Sequence, residues 1–480
     1  MSGQKTQLVR GLVFRDTTAL VVGTIIGTGV FLKTAKMAQA VGSPQLVLLA
    51  WIAAGILSLA GALTYAELGA MLPKAGGEYV FLRAAYGDLP AFLFGWMRIV
   101  VGSTGSIAIF GVAFATFLSA LVPLKTVWAE KTFMLLGQKI DWQFGEKQLV
   151  AVGIILLFSA INCLRVVFGG RIQSFLTSAK VLGIAAIVFG VFFFAPAATW
   201  ENFRLPAGSS NWTGFSAFGA AMLAALWAFD GWNNMPMVAG EVKDPGRNIP
   251  RALIVGMFIV LLVYGLANLA YFYALPFGEI LTSNSTAHRD ALPVASKAAI
   301  AFLGERGPAL VSIAFLISTI GVLNGSILTS ARIPFAMACD GLFFSRFAEL
   351  SRLSAVPVAA ISLQAVWASV LAISGTFDQL TDYVVFAGWI FYAATTAAVF
   401  VLRKKLPDAP RPYRTLGYPV VPFIFVLVAI ALLINTWITS RVESTAGLVL
   451  IALGLPIYFW QRARNRAAAR QPEAKAPVSG

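Results

Sequence analysis

The sequence of 480 residues has few of the side chains on which most catalytic and metal sites depend. It contains two cysteines, which imply no disulfide framework. Its single histidine, His288, excludes a histidine metal cluster and a histidine-based catalytic triad. Charged residues make up only 12% of the chain, about half of the share in soluble domains. These absences exclude most hydrolases and metalloenzymes, and we expect no enzymatic activity, no cofactor and no metal.

Apolar residues dominate the chain instead. They account for 58% of it, and the mean hydropathy is +0.79, which is typical of a polytopic membrane protein. One helical crossing takes roughly 20 apolar residues, and the chain has about twelve such runs. They lie near residues 16–38, 44–72, 89–122, 148–167, 172–196, 214–240, 251–276, 307–336, 356–375, 381–402, 419–437 and 444–461. The pattern predicts an all-α fold with twelve transmembrane helices.

The distribution of basic residues predicts the topology. The first apolar run has no cleavage site of a signal peptide, so we interpret it as a retained span. Lysine and arginine are more frequent in the loops that share a side with the two termini, which places both termini in the cytoplasm. We expect the chain in the plasma (inner) membrane. The net charge of +15 is interpreted as the same topology signal and not as a nucleic-acid site.

Two of the apolar runs contain residues that break helices. The first run includes "GTIIGTGVF", Gly23 to Phe31, which is rich in glycine and threonine. The sixth carries Asp230, Gly231 and Asn233 at hydrocarbon depth, where a carboxylate normally faces a cavity or a partner. Because these runs are five spans apart, the pattern predicts an inverted repeat whose discontinuous helices 1 and 6 form a site at the midplane. Close helix packing through the glycines stays an alternative for the first run.

The predicted organisation follows from this repeat. Its segments are a cytoplasmic N-terminus (1–15), a first repeat (16–196), a second repeat with its preceding outer loop (197–402), two last helices with a basic cytoplasmic loop (403–462) and a cytoplasmic tail (463–480). The tail is basic and then rich in alanine and proline, so we expect it to be disordered.

Four long motifs resemble those of a known transporter family. They are "VVGTIIGTGVF", "TYAELGAMLPKAGGEYVFLRAAYGDLPAFLFGW", "FDGWNNMPMVAGEVKDPGRNIPRAL" and "LNGSILTSARIPFAMACDGLF". In this order they are similar to the first, second, sixth and eighth helices of the L-type amino acid transporter family, within the amino acid, polyamine and organocation superfamily. The resemblance covers nearly the whole chain. It implies the five-plus-five inverted repeat of the LeuT-like fold, with exchange or uptake of L-amino acids.

The resemblance also implies a site for a zwitterion at the two breaks. The amides of Thr28 and Gly29 are expected to hold the carboxylate, and carbonyls near Trp227, Ala228 and Asp230 the ammonium. Broken helices supply such donors and acceptors without full charges. The predicted substrate-binding residues are Thr24, Ile25, Ile26, Gly27, Thr28, Gly29, Trp227, Ala228, Phe229, Asp230, Gly231 and Asn233. Trp227 is also the predicted external gate, with a tryptophan packed among apolar neighbours as the alternative.

Lys180 is a charge within the fifth run, and two interpretations of it stay open. Its side chain can snorkel to the cytoplasmic surface. By the resemblance, it reaches the break in the first helix and replaces the cation that sodium-coupled relatives hold there. This predicts sodium-independent transport and leaves open whether Lys180 carries a coupling proton.

The acidic side chains allow two interpretations each for the substrate class and for the inward-side gate. By the resemblance, Asp230 either favours cationic amino acids or pairs within the protein. Glu67, Glu241 and Asp244 either pair with loop arginines as an inward-side latch or are solvated.

The expected partners are the amino acid substrate and the lipid bilayer, without nucleic acid. In animal members of the family, a cysteine in the outer loop between spans three and four links a heavy subunit. This chain has no cysteine in that loop, so we expect it to work without a disulfide-linked subunit.

The function predicted from the sequence is sodium-independent secondary transport of L-amino acids by alternating access. The protein is expected to exchange neutral amino acids, and whether it also accepts cationic ones is left open. A proton-coupled symporter and an amino acid sensor that keeps the fold without transport stay as alternatives. A channel is disfavoured, since the sequence has no repeated polar rings.

Overall fold

Helices dominate the structure. The computed structural model describes residues 8–135, 138–204, 214–285, 287–288, 291–374, 377–439 and 441–470. Among these residues, ten helical segments are long and apolar enough to cross a bilayer. The prediction of a multi-pass helical membrane protein is therefore confirmed.

The first half of the chain forms eight helices and one hairpin. They are α1 (Phe14–Ile25), α2 (Gly29–Val41), α3 (Pro44–Met71), α4 (Glu78–Tyr86), α5 (Asp88–Met97), a π-helical turn (Arg98–Gly102), α6 (Ser103–Leu118), β1 (Val127–Leu135), β2 (Gln138–Gly145), α7 (Glu146–Asn162) and α8 (Val166–Phe194). Local sequence explains where α3 begins. The Ser43 hydroxyl accepts a hydrogen bond from the Leu46 amide, and Pro44 takes the first helical position.

The second half is helical within its described residues. Its elements are a 3₁₀ helix (Trp200–Phe203), α9 (Phe215–Phe229), a 3₁₀ helix (Trp232–Glu241), α10 (Pro245–Ala274), α11 (Phe277–Leu281), α12 (Val294–Leu303), a 3₁₀ turn (Gly304–Arg306), α13 (Gly307–Ser330), α14 (Arg332–Cys339), a 3₁₀ turn (Ser345–Ala348), α15 (Val358–Ile373), α16 (Phe377–Lys405), α17 (Val420–Thr439), α18 (Arg441–Ala452) and α19 (Gly454–Arg470). Each of the predicted apolar runs coincides with one helix or with consecutive helices, as the first run does with α1 and α2. α7 has 17 residues and α15 has 16, so these two are shorter than the ten long segments.

The all-α prediction is wrong in the loop between α6 and α7. There β1 and β2 pair as an antiparallel hairpin. Val127, Trp128 and Trp142 are residue types that suit a pleated strand. Charged residues interrupt both strands, so a search for long apolar runs does not detect them.

The prediction of a disordered tail is wrong for residues 463–470. α19 continues to Arg470, so residues 463–470 are helical. Alanine and arginine, which fill this segment, are strong helix formers and extend the last apolar helix. The rest of the predicted tail, 471–480, lies outside the described residues.

The outer faces of the long helices carry exposed apolar side chains. On α8, Phe175 is 72% exposed and Leu182 is 69% exposed, and Phe189 continues the same face at 54%. This spacing of seven residues marks one side of a helix. A water-soluble protein rarely leaves such a surface open, so this face is suited to contact with lipid.

Two glutamates near helix ends are buried in ion pairs. Arg403 donates to both carboxylate oxygens of Glu67 at 2.9 and 2.8 Å, and the Thr415 amide adds a bond of 2.7 Å. Arg332 donates to both oxygens of Glu241 at 2.8 Å, and both side chains are fully buried. The alternative of solvated glutamates is therefore wrong, since each carboxylate has an arginine partner.

Candidate functional site

The first interruption of a long helix lies between α1 and α2. α1 ends at Ile25, α2 begins at Gly29, and the residues between them are not helical. Such a gap frees backbone groups that need other partners inside a membrane. The ammonium of Lys180 donates to the carbonyls of Gly23 at 2.9 Å and Ile26 at 2.8 Å. A side chain from α8 therefore satisfies the freed backbone.

Lys180 is only 1% exposed and lies in the middle of α8. Its ammonium also donates to the carbonyl of Ser318 on α13 at 3.0 Å. The Ser318 hydroxyl in turn donates to the Ile26 carbonyl at 3.0 Å. A lysine ammonium has three N–H donors, and all of them are used at this junction of α1, α8 and α13. The snorkelling interpretation is therefore wrong.

The second interruption follows α9. α9 ends at Phe229, and the next 3₁₀ helix begins at Trp232. Gly231 between them has a φ of 124°, which favours glycine. Its carbonyl accepts a hydrogen bond of 3.0 Å from the Thr24 hydroxyl of α1. The two interruptions are thus in direct contact.

Tyr264 of α10 connects the same two interruptions from behind. Its hydroxyl lies 3.1 Å from the Ile25 carbonyl and 2.8 Å from the Ala228 carbonyl. Its side chain is fully buried, and its ring lies 5.0 Å from that of Phe229. The ends of α1 and α9 therefore share one buried donor.

Replacing Gly231 with alanine is expected to destabilise the protein. A Cβ at this position would lie 2.5 Å from the Thr24 carbonyl oxygen, and the φ of 124° would strain an alanine. We expect a cost of about 1–3 kcal/mol, measured as a lower melting temperature of the detergent-purified protein. Gly219→Ala is the matched control, because Gly219 lies within α9 and a Cβ there meets nothing within 4 Å. Equal melting temperatures of the two variants would contradict the prediction.

A cavity opens between the two interruptions. The predicted site residues that line it are Thr24, Ile25, Gly27, Thr28, Gly29, Trp227, Ala228, Asp230 and Gly231. Three predicted residues do not line it, and each has another role in the fold. Ile26 offers its carbonyl to Lys180, Phe229 packs on Trp51, and Asn233 donates to Glu78 at 3.2 Å.

Asp230 is exposed to this cavity. Tyr392 of α16 donates a hydrogen bond of 2.6 Å to its carboxylate. The carboxylate therefore has a partner within the protein, as one of the two alternatives for Asp230 predicts. Among the described residues, no group of three histidine, cysteine, aspartate or glutamate side chains could hold a metal ion.

Sequence reasoning missed much of the polar lining. The further polar residues at the cavity are Arg98, Ser103, Ser106, Asn234, Ser326, Ser330 and Tyr392. Arg98 donates to the Asn234 side chain at 3.0 Å. A lone arginine within an apolar run is a signal that could have found this residue. The serines and Tyr392 have no such signal, because hydroxyls are common in membrane helices.

Trp227 lies at the last turn of α9, is half-buried and lines the cavity. The Lys33 ammonium of α2 lies 4.1 Å from the centroid of its ring, within cation–π range. The indole therefore contacts a cation on α2 as well as the cavity, and it is not packed solely among apolar neighbours.

Comparison with known proteins gives consistent matches over nearly the whole chain. The amino acid permease family matches residues 12–460. The serine/threonine exchanger SteT of Bacillus subtilis is 32% identical over 95% of this chain and 97% of its own. The b(0,+)-type amino acid transporter 1 of Mus musculus is 30% identical over 95% and 88%. The large neutral amino acids transporter small subunit 2 of Homo sapiens is 31% identical over 94% and 80%.

Proposed function

This chain belongs to the amino acid permease family, as its resemblance to the L-type transporters predicts, and we propose that it exchanges L-amino acids across the membrane without sodium. Membership of this family supports transport and not enzymatic catalysis. The observation that carries the proposal is the pair of interrupted helices, which line one cavity and contact each other through Thr24 and Gly231. Such paired interruptions suit alternating access to a central site.

The proposed architecture has twelve spans, ten of them in two inverted repeats of five. α1 with α2 forms one discontinuous helix, and α9 with the following 3₁₀ helix forms the other. α7 and α15 complete the set of twelve, although they are short. The charge distribution supports cytoplasmic termini, and we assign the protein to the plasma (inner) membrane.

The proposed substrate pose uses the ends of the interrupted helices. The amides of Thr28 and Gly29 at the start of α2 bind the carboxylate, because the first amides of a helix lack intrahelical partners. The carbonyls of Trp227 and Ala228 at the end of α9 bind the ammonium, together with groups near Asp230. These residues line the same cavity, which supports the pose.

Lys180 supports sodium independence. Its ammonium already donates to carbonyls of Gly23, Ile26 and Ser318, the type of oxygen cluster that binds a monovalent cation. We therefore propose that a fixed positive charge takes the place of a coupling ion. A proton on Lys180 is the alternative that would make the protein a symporter.

Trp227 is proposed as the external gate, because it lies over the cavity and contacts α2 through Lys33. The names of the relatives support neutral amino acids, from serine and threonine to larger side chains. A disulfide-linked heavy subunit is not proposed, since the loop that carries β1 and β2 contains no cysteine.

Counterflow in proteoliposomes tests the proposal. The lumen is loaded with unlabelled serine, alanine, leucine, lysine or arginine, and uptake of labelled serine is followed in buffer without sodium. We expect a neutral amino acid in the lumen to stimulate uptake, and sodium to change nothing. Liposomes without protein are the control.

Two outcomes would contradict exchange. Uptake that does not depend on the amino acid in the lumen and follows an imposed proton gradient would identify a symporter, with Lys180 as its proton-site candidate. Ligand-induced thermal stabilisation without any flux would identify a sensor.

A further inference from the structure

We propose that Arg98 keeps cationic amino acids out of the cavity by balancing the charge of Asp230. This inference rests on the proposed transport function and concerns which substrates the transporter accepts. Asp230 taken alone would favour lysine and arginine as substrates. The structure adds a second charge that the substrate would meet.

Arg98 is placed at the cavity by an unusual turn. It opens the π-helical turn between α5 and α6, in which the Ser103 amide donates to the Arg98 carbonyl. A π turn adds one residue to a helix and often marks a functional site. Arg98 and Ser103 both line the cavity as a result.

The guanidinium is buried and only partly satisfied. Arg98 is 7% exposed, and its Nη2 donates to Asn234 at 3.0 Å. Its Nε and the Ser103 hydroxyl have no hydrogen-bond partner among the described residues. A buried arginine is always charged, so it needs a nearby negative charge.

Asp230 is the carboxylate that lines the same cavity as Arg98. Arg98 and Asp230 are the two charged residues in the described lining, and they carry opposite charges. The Tyr392 hydroxyl orients Asp230 but is neutral. Glu78 also faces Arg98, from α4, but it is fully buried behind Tyr65 and Asn233 and does not line the cavity.

A cavity with one balanced charge pair discriminates by side-chain charge. A lysine substrate would bring its ammonium close to Arg98, whose repulsion opposes the attraction of Asp230. A neutral side chain meets no such penalty, and the free Nε and the serine hydroxyls can bind a polar one. Without the charge of Arg98, the charge of Asp230 remains, and the site should admit cationic substrates. Without the charge of Asp230, the charge of Arg98 remains, and the site should admit anionic substrates.

Counterflow with labelled serine, lysine and aspartate tests this rule in proteoliposomes. For Arg98→Gln, we expect the ratio of lysine to serine uptake to rise at least about tenfold over the wild type. For Asp230→Asn, the ratio of aspartate to serine should rise instead. The double variant should lose both gains, and Arg98→Lys should keep the wild-type selectivity. Arg204→Gln is the matched control, since Arg204 is 82% exposed.

The proposal is overturned if the wild type exchanges lysine as well as serine, or if Arg98→Gln exchanges serine with lysine still excluded. If one single variant does not fold, the other still decides, because each predicts its own gained substrate. If the wild type shows no counterflow, exchange fails as the function. Thermal stabilisation by serine, lysine and aspartate then tests the same selectivity in binding, and equal stabilisation by serine and lysine would overturn it.

Discussion

Exchange by the Lys180→Met variant is expected to fall by about 100-fold or more. Methionine has a similar length but no donor, so the carbonyls of Gly23, Ile26 and Ser318 lose their shared ammonium. The Ile26 carbonyl keeps its bond from the Ser318 hydroxyl, but α8 no longer holds the interrupted segment. A rate lower by about 100-fold corresponds to about 3 kcal/mol added to the barrier of the transport cycle. The measurement is the initial rate of counterflow per folded transporter.

Lys36→Met is the matched control for this prediction. Lys36 is exposed on α2, the helix that follows the interruption, and the same substitution there should leave counterflow near the wild-type rate. Partial recovery of Lys180→Met by sodium would support the view that the ammonium stands in for an ion. Wild-type exchange by Lys180→Met would contradict the role proposed for this lysine.

Glu241→Gln is expected to destabilise the protein by about 3–5 kcal/mol. The substitution keeps the shape of the side chain but removes the charge that Arg332 binds through two bonds of 2.8 Å. Both side chains are fully buried, so the guanidinium would remain charged without a counter-ion. Thermal denaturation of the detergent-purified protein measures the effect as a lower melting temperature.

An exposed pair supplies the control for Glu241→Gln. Glu201 and Arg204 are 76% and 82% exposed and 3.9 Å apart, so Glu201→Gln should change stability by less than about 1 kcal/mol. The double variant Glu241→Gln with Arg332→Met should regain part of the lost stability, because it removes the unpaired charge. A double variant that is less stable than Glu241→Gln alone would contradict this account.

The positions of the membrane helices and of both interruptions could be predicted because they depend on local composition. A helix that spans a bilayer is normally long and apolar, and "GTIIGTGVF" and Asp230 depart from this pattern within their apolar runs. Most of the predicted site residues line the cavity for the same reason, since they flank the two interruptions.

Side-chain pairs between distant helices could not be predicted in this way. Arg98 meets Asn234, and Tyr392 meets Asp230, across separations of 136 and 162 residues. Such contacts depend on how the helices pack, which no local pattern encodes. The hairpin of β1 and β2 escaped for another reason, because its strands are too short and too polar to resemble a span.

The hydroxyl of Tyr264 has one hydrogen to offer, yet it faces the carbonyls of both Ile25 and Ala228. Each carbonyl oxygen carries two lone pairs, so a single shared hydrogen leaves most of their capacity unused. The unused capacity of the Ala228 carbonyl lies at the end of α9, where the ammonium of an amino acid is proposed to bind. A substrate ammonium at the end of α9 would therefore share the Ala228 carbonyl with a hydrogen that Tyr264 divides between two helix ends.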